Sequence, residues 1–334
     1  MSVGVVIAVY NGEAYLREQL ESIAAQTALP DHIWIRDDGS ADSTSGVVKG
    51  FIRRHPELSV RFEQGQNLGF RDNFARLLEM AEDDWIFLCD QDDRWHPDKI
   101  EKMMKTVSSH PKIGVLASSF EFMHSDSQIY HVPRKAGWSN QNLIPREIET
   151  GALAEISLEE LVFHNYFQGC SMLISREIRD ACIQAKNPAL PHDWMLSLLG
   201  AAKNSLYFLN TPLFDYRIHE NNAIGLPQSS RFALLRRLKT LNTEYNRTIV
   251  MRQSTQVLET IRLNFPWLFK GKYEDLLAFA NRNLQALEDR SPVKILAMMN
   301  DPLYSRYKSK AGALMDLVFA CTHRKVTQTR SRSV

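Results

Sequence analysis

Asp90, Asp92 and Asp93 crowd together directly after the apolar run Trp85 to Cys89. Carboxylates this close repel one another unless a cation or a donor-rich ligand lies among them. Hard oxygen ligands suit Mg2+ or Mn2+, and such ions are usually shared between one or two carboxylates and substrate phosphates. Trp85 to Cys89 reads as a buried strand, and in open α/β sheets ligands sit beyond the carboxyl ends of the strands. The stretch therefore points to a metal-assisted phosphate or nucleotide site. A solvated acidic turn ahead of a helix starting at Pro97-Asp98 is the plainer alternative. A further carboxylate, Asp193 in His192-Asp193-Trp194, falls at an expected helix start, where on its own it is a favourable cap.

Strands and helices must alternate to bring these groups together. Val3 to Val9 is β-branched and apolar at nearly every position, as a fully buried parallel strand requires, and Tyr10-Asn11-Gly12 breaks it. A helix is expected over Glu13 to Gln26, then a strand at Ile33 to Ile35 closed by Arg36-Asp37-Asp38-Gly39-Ser40, with Asp42 or Ser43 capping the next helix. A strand at Val60 to Phe62, a helix over Asp72 to Ala81, a helix over Asp98 to Ser108 and a strand at Ile113 to Ala117 continue the alternation. That order predicts an α/β fold with a doubly wound, mostly parallel sheet. From Glu121 to Gly151 the periodicity fades, suggesting a long loop or a small excursion, and such a loop is more often functional than idle in a compact domain. Asn165 to Ile174 is expected as a strand with Gly169 at a close approach, followed by a helix over Met195 to Ala202, a strand at Leu206 to Leu209 and a turn at Asn210-Thr211-Pro212.

The chain has 334 residues, 44% hydrophobic and 24% charged, which suits one large α/β unit with an appendage. No apolar run approaches the roughly 18 residues of a membrane span, and the first residues read as a strand, not a signal peptide. Cys89, Cys170, Cys182 and Cys321 lack CxxC spacing, which argues against zinc or a disulfide scaffold and fits a reduced, cytoplasmic protein. The net charge of +1 conceals an asymmetry: residues 1–230 hold 21 Lys+Arg against 31 Asp+Glu, and residues 231–334 hold 19 against 8. Division is expected at 1–228, an α/β domain, and 229–334, a basic helical region with helices over Arg231 to Glu259, Tyr273 to Leu287, Pro292 to Met299 and Ala311 to Thr322. The last is short, apolar and flanked by Arg306, Lys308, Lys310, Arg324, Lys325, Arg330 and Arg332. It suits either an interfacial helix on an anionic membrane or a helix packed on the domain.

In order along the chain, Val5-Val6-Ile7-Ala8-Val9-Tyr10-Asn11-Gly12, Ile35-Arg36-Asp37-Asp38-Gly39-Ser40, Asn67-Leu68-Gly69-Phe70, Leu88 to Pro97 and His192-Asp193-Trp194 resemble the family 2 glycosyltransferases. These are inverting, nucleotide-sugar-dependent enzymes of the GT-A fold, and the resemblance covers about residues 3 to 225. Asp90-Gln91-Asp92-Asp93-Arg94-Trp95-His96-Pro97, His192-Asp193-Trp194 and Tyr216-Arg217-Ile218-His219 with Asn221-Asn222 are most similar to bacterial rhamnosyltransferase-like members.

The resemblance implies roles for individual residues. Tyr10, Asn11 and Gly12 would receive the nucleotide base, and Asp38 would accept from the imide N–H of uracil or thymine. Asn67 and Arg71 would contact the nucleotide or its phosphates, although Asn67 also suits a turn. Asp92 would ligate Mg2+ or Mn2+, with Asp90 nearer the ribose or behind the ion; Asp93 is open between a cap and the site, and Trp95 is packing. Arg217 and His219, in a loop after the last sheet elements, would stabilise the leaving diphosphate or hold the metal. Gln168, Gly169 and Cys170 would floor the donor sugar, with no nucleophile needed. Asp193 would be the general base, taking the acceptor hydroxyl's proton. Many members have Glu before this Asp, so His192 is a departure, open between orienting Asp193 and packing.

The function so implied is transfer of a hexose or deoxyhexose, rhamnose among them, from a UDP- or dTDP-sugar to a hydroxyl of a surface polysaccharide or lipid-linked glycan, with no nucleic-acid partner expected. Two rivals pair carboxylates with Mg2+ or retain the fold without its chemistry: a nucleotidyltransferase or phosphohydrolase, and a non-catalytic nucleotide- or glycan-binding module. The lack of a Gly-rich phosphate loop with Lys weighs against the first, and the intact acidic residues against the second.

Overall fold

Val3–Val9 forms β1, buried at all but one position, as expected for a strand with apolar side chains on both faces and helices on both sides. The computed structural model describes residues 1–186, 190–219 and 244–322. In it β1 is followed by α1 (Leu16–Ala24), β2 (His32–Asp37), α2 (Thr44–Arg54), β3 (Val60–Gln64), α3 (Phe70–Met80), β4 (Trp85–Cys89) and α4 (Lys99–Ser109), with a short β5 (Arg94–Trp95) before α4. The helices form where apolar residues recur at helical spacing: α1 buries Leu16, Leu20 and Ile23, and α4 buries Ile100, Met103 and Val107.

β2 and β4 both pair in parallel with β1, on opposite sides, and β3 pairs in parallel with β2. The chain therefore leaves β1 in both directions, which makes a topological switch point at the carboxyl ends of β1 and β4. Ile7 lies opposite Cys89, so Tyr10-Asn11-Gly12 and Asp90 to Asp93 emerge at the same edge.

Beyond β4 the sheet continues through β9 (Met172–Ser175), β6 (Val115–His124), β10 (Leu206–Ile218) and β5, with β7 (Ile129–Tyr130) on β6 and β8 (Leu153–Glu155) on β10. Several expectations change here. Only the end of the stretch expected as a strand from Asn165 is one, and it runs antiparallel to both β4 and β6; Gly169–Ser171 is a tight turn. The expected turn at Asn210-Thr211-Pro212 is a bulge inside β10. Proline offers no N–H to the ladder, so the register with β6 shifts on both sides of Pro212 and the strand resumes. Strand β6 runs past Ala117 to His124, and α5 (Arg176–Gln184), capped by the Ser175 hydroxyl, was not anticipated. The apolar helix α6 (His192–Ala202) stands where expected and is buried along most of its length.

The C-terminal helices are α7 (Glu244–Asn264), α8 (Lys272–Glu288), α9 (Pro292–Met299), α10 (Pro302–Tyr307) and α11 (Lys310–Cys321). The expected start at Arg231 and the basic residues from Arg324 onward lie outside the described residues, as does the expected boundary at 228. Contacts divide the chain into one unit of residues 1–161 with 165–226 and another of 162–164 with 227–334. In the second unit α11 turns Ala313, Asp316, Phe319 and Ala320 inward and leaves Leu314 and Val318 exposed. Among the described residues no helix is long and apolar enough to cross a membrane.

Candidate active site

The strand β4 stops where Asp90 begins, and the turn that follows is tied down on three sides. The Gln91 amide bridges to β1, its Oε1 accepting from Tyr10 N at 2.8 Å and its Nε2 donating to Tyr10 O at 3.0 Å. A side chain at Gly12 would collide with that amide, its Cβ falling 2.4 Å from Gln91 Oε1. Asp93 is fully buried; its Oδ1 accepts from Arg217 N at 3.1 Å, and its Oδ2 has no hydrogen-bond partner among the described residues. Asp92 faces His219, with 2.7 Å between its Oδ2 and His219 Nε2.

Acidic groups crowd this turn, and burial raises two of them. Burial, then the neighbouring charge of Asp92, raises Asp90 to about 7, with the charge of Asp193 a further contribution. Burial and the charges of Asp92 and Asp90 hold Asp93 well above the carboxylate range. The Asp90 and Asp93 carboxylates and the Cys170 thiol lie within 4.8 Å of one another. Burial also pushes the Cys170 thiol well up, so it is a proton-bearing neighbour and not a nucleophile. Beneath them Lys99 is buried, donating to Cys170 O at 2.7 Å with its ammonium 4.2 Å from the Trp95 ring centre and 4.3 Å from that of Phe214. Burial lowers it to about 8. An oxygen-rich group of mutually repelling acids, one buried oxygen unpartnered and an imidazole at its edge, fits a divalent cation by donor chemistry.

Asp193 occupies the first turn of α6 and is 9% exposed. Its Oδ1 accepts from Trp194 N at 2.6 Å, and the Asn165 side chain also bonds the carboxylate. Burial outweighs these bonds and raises it to about 6. Because the charge of Asp193 acts on Asp90 together with that of Asp92, the expected base and the expected metal residues share one electrostatic environment.

The remaining predicted residues divide. Tyr10 is exposed, and Asn11 holds φ 47°, its N–H donating to Ser40 Oγ at 2.9 Å and its Oδ1 accepting from Ala41 N at 2.9 Å. Asn67 is exposed, Arg71 lies in the first turn of α3, and Gly169 and Gln168 lie beside α6 and Cys170. Asp38 is 2% exposed, accepting from Arg36 Nη1, Leu68 N and Gly69 N, each at 2.8 Å. It anchors the turn before α3. One expectation is corrected. Arg217 belongs to β10 and not to a loop, and its side chain is fully buried. It donates to Asp92 O and Glu18 Oε2, both at 2.6 Å, and to Ser127 Oγ at 2.9 Å, so it holds the acidic turn from behind.

Lys99, Gln91 and Glu18 were missed. A signal existed for Lys99: it falls on the face of α4 shared by Met103 and Val107, where the periodicity calls for an apolar residue. Glu18 had none, because its partners Arg94 and Arg217 are brought to it only by the fold.

Comparison with known proteins follows the same outline. The family model described as Glycosyl transferase family 2 matches residues 4–178. The chain is 27% identical over 212 residues to the uncharacterized protein Rv1520 of Mycobacterium tuberculosis, covering 63% of this chain and 57% of that one, so it spans little more than half that relative's length. It is 28% identical over 235 residues to dTDP-rhamnosyl transferase RfbG of Shigella flexneri, covering 66% of this chain and 73% of that one. Among solved structures, S. aureus TarS 1–349 in complex with UDP is similar in fold, with a TM-score of 0.53 at 16% identity over 96% of this chain and 81% of that one. With the GT-A arrangement of sheet and helices and a family match over more than half its length, this chain belongs to glycosyl transferase family 2.

Proposed function

We propose that this chain is an inverting glycosyltransferase moving a hexose or deoxyhexose from a UDP- or dTDP-sugar to a hydroxyl of a surface polysaccharide or lipid-linked glycan. The observation that carries the reading is Asp193, a buried carboxylate raised to about 6, acting on the same Asp90 as the acidic turn does. A carboxylate so raised is a better proton acceptor near neutral pH than an ordinary one. The dTDP-rhamnosyl transferase among the relatives favours a dTDP-linked deoxyhexose.

In this mechanism Asp193 takes the proton of the acceptor hydroxyl as its oxygen attacks the anomeric carbon. The bond from that carbon to the diphosphate oxygen breaks on the opposite face, its electron pair leaves with the diphosphate, and configuration inverts. Asp92 and Asp90, with His219, would hold Mg2+ or Mn2+, which when bound neutralises the diphosphate's charge. Arg217 and Gln91 keep the turn in place, while Tyr10, Asn11, Gly12, Asn67 and Arg71 offer the nucleotide its rim. The basic excess of residues 231–334 suits docking at the cytoplasmic, anionic face of a membrane.

Two assays test this. A thermal-shift panel of nucleotide-sugars with and without Mn2+ should show one donor raising the melting point only with the ion, and nucleoside diphosphate release should vanish in Asp193→Asn. A donor turned over equally well by Asp193→Asn sinks the mechanism. Co-sedimentation with anionic but not neutral liposomes is expected for the full chain, and equal partitioning refutes the docking.

A further inference from the structure

Helix α1 carries a polar stripe that the transfer chemistry leaves unused. Leu16, Leu20 and Ile23 take one face of the helix into the core. Tyr15 just before it, Glu18 and Ser22 within it and Gln26 just after it recur at helical spacing along another. All four touch the chain that carries or backs the acidic turn. Gln26 Nε2 donates to His96 O at 2.8 Å and its Oε1 accepts from Ile100 N at 3.1 Å, while Ser22 Oγ accepts from Trp95 N at 3.1 Å. Glu18 accepts from Arg94 Nη1 at 3.0 Å on one oxygen, and from Arg217 Nη2 at 2.6 Å and Ser127 Oγ at 2.9 Å on the other. The Tyr15 ring lies against two side chains at the end of β10. Its centre is 4.6 Å from the Arg217 guanidinium and 4.9 Å from the centre of the His219 ring, with 34° between the two rings.

The stripe divides by what each half holds. Ser22 and Gln26 tie down backbone of β5 and the start of α4, which is a purely structural task. Tyr15 and Glu18 act on the groups expected around the ion: Arg217 Nε donates to Asp92 O at 2.6 Å, and His219 Nε2 stands 2.7 Å from Asp92 Oδ2. An imidazole free to turn about its side-chain bonds has to be ordered when an ion binds, and that entropy is subtracted from the affinity. A ring packed on its face removes the freedom beforehand. In the same way a guanidinium shared with a carboxylate holds the carbonyl it bonds more firmly than one left to swing.

We propose that Tyr15 and Glu18 are positioning residues for the divalent ion: Tyr15 fixes the plane of the His219 ring, and Glu18 fixes Arg217 and through it the backbone of Asp92. The inference rests on the reading above, in which Asp92 and His219 hold Mg2+ or Mn2+, and extends it to two side chains outside that ligand set.

The test is Mn2+ binding to the full chain, followed by the electron paramagnetic resonance of the free ion, alone and with UDP or dTDP and corrected for the diphosphate's own Mn2+ binding. Urea unfolding without the ion runs beside it. Removing a group that orients a metal ligand costs about ten- to a hundredfold in metal affinity. Tyr15→Leu should lose Mn2+ affinity on that scale, and Tyr15→Phe, which keeps the ring, should bind as the wild type does. Glu18→Gln, which keeps the shape and loses the charge, should also weaken the ion, and it carries the test by itself if Tyr15→Leu does not fold. Ser22→Ala, at the other end of the stripe, should lower the urea midpoint and leave Mn2+ affinity unchanged. Unchanged affinity in Tyr15→Leu and Glu18→Gln, a Tyr15→Phe as weak as Tyr15→Leu, or a Ser22→Ala as weak as Glu18→Gln makes the stripe structural only and overturns the proposal, while Mn2+ binding by the wild type keeps the metal reading. A wild type that binds no Mn2+ with either diphosphate overturns both.

Discussion

Two buried aspartates, one in each unit, show opposite treatments of the same charge. In the helical unit Asp316 is fully buried and matched: it accepts from Arg247 Nε and Tyr304 Oη, each at 2.9 Å, and from Lys308 Nζ. In the sheet unit Asp93 is equally buried, yet one oxygen takes a single backbone N–H and the other has no partner among the described residues. Around it stand Asp90 and Asp92, with the ammonium of Lys99 turned to the carbonyl of Cys170. A buried acid with its cations supplied holds helices together. One left short of them is destabilising by itself, and persists in a fold where something else completes it.

The comparison is broken most directly through function. Asp193→Asn should lower transfer about a hundred- to ten-thousandfold, with a melting temperature equal to or above wild type, because a buried, raised-pKa carboxylate becomes neutral at nearly the same volume. A loss of less than tenfold removes Asp193 from the role of base.

Stability separates the two aspartates next. Asp316→Asn takes the charge from beside Arg247 and Lys308, and removing one partner of a buried pair costs about 3–5 kcal/mol, readable in urea unfolding. Asp93, held well above the carboxylate range, is already neutral without divalent ion, and Asn keeps an oxygen for Arg217 N, so Asp93→Asn should cost little there. Equal losses in the two variants erase the distinction. Cation linkage sharpens it: Mn2+ at a hundred times its dissociation constant should stabilise the wild type by about 2.7 kcal/mol, and Asp92→Asn should lose that gain.

The smallest effect is in pH. On the proposed mechanism transfer needs Asp193 ionised, so kcat/KM should fall about tenfold per unit below about 6. For stability the sign is reversed. Between the ordinary carboxylate range and about 6 the folded chain keeps a proton that the unfolded chain has released, so this group favours the fold at low pH and that contribution disappears as pH rises through about 6. Melting curves of wild type and Asp193→Asn should diverge across that window, and parallel curves contradict the raised pKa.

Much of this was legible in the chain. The β-branched run of β1, the helical spacing of Leu16, Leu20 and Ile23, and the abrupt end of Trp85 to Cys89 in Asp90 prescribe local structure through contacts close in sequence, and they located the parallel half of the sheet and the acidic turn. The motifs from Tyr10 to Trp194 carried the family, confirmed by the match over residues 4–178. Local pattern misled where a distant strand imposed its own register. Pro212 reads as a turn, but β6 alongside pulls the chain through it as a bulge, and Arg217 follows into the sheet.

What the amino-acid order determined by itself is which groups exist and which elements carry them: the carboxylates at a strand end, Asp193 at a helix start, glycines at 12 and 169. Only the tertiary structure decided which of those groups are matched. Asp37 and Asp38 look as available as Asp90 and Asp92 in sequence, yet Arg36 and the Leu68 and Gly69 amides close on Asp38, while Lys99 gives its hydrogen bond to Cys170 O. Pairing is a property of distance and burial, set by strands far apart along the chain, so which carboxylates are matched and which are not appears only once the chain is folded.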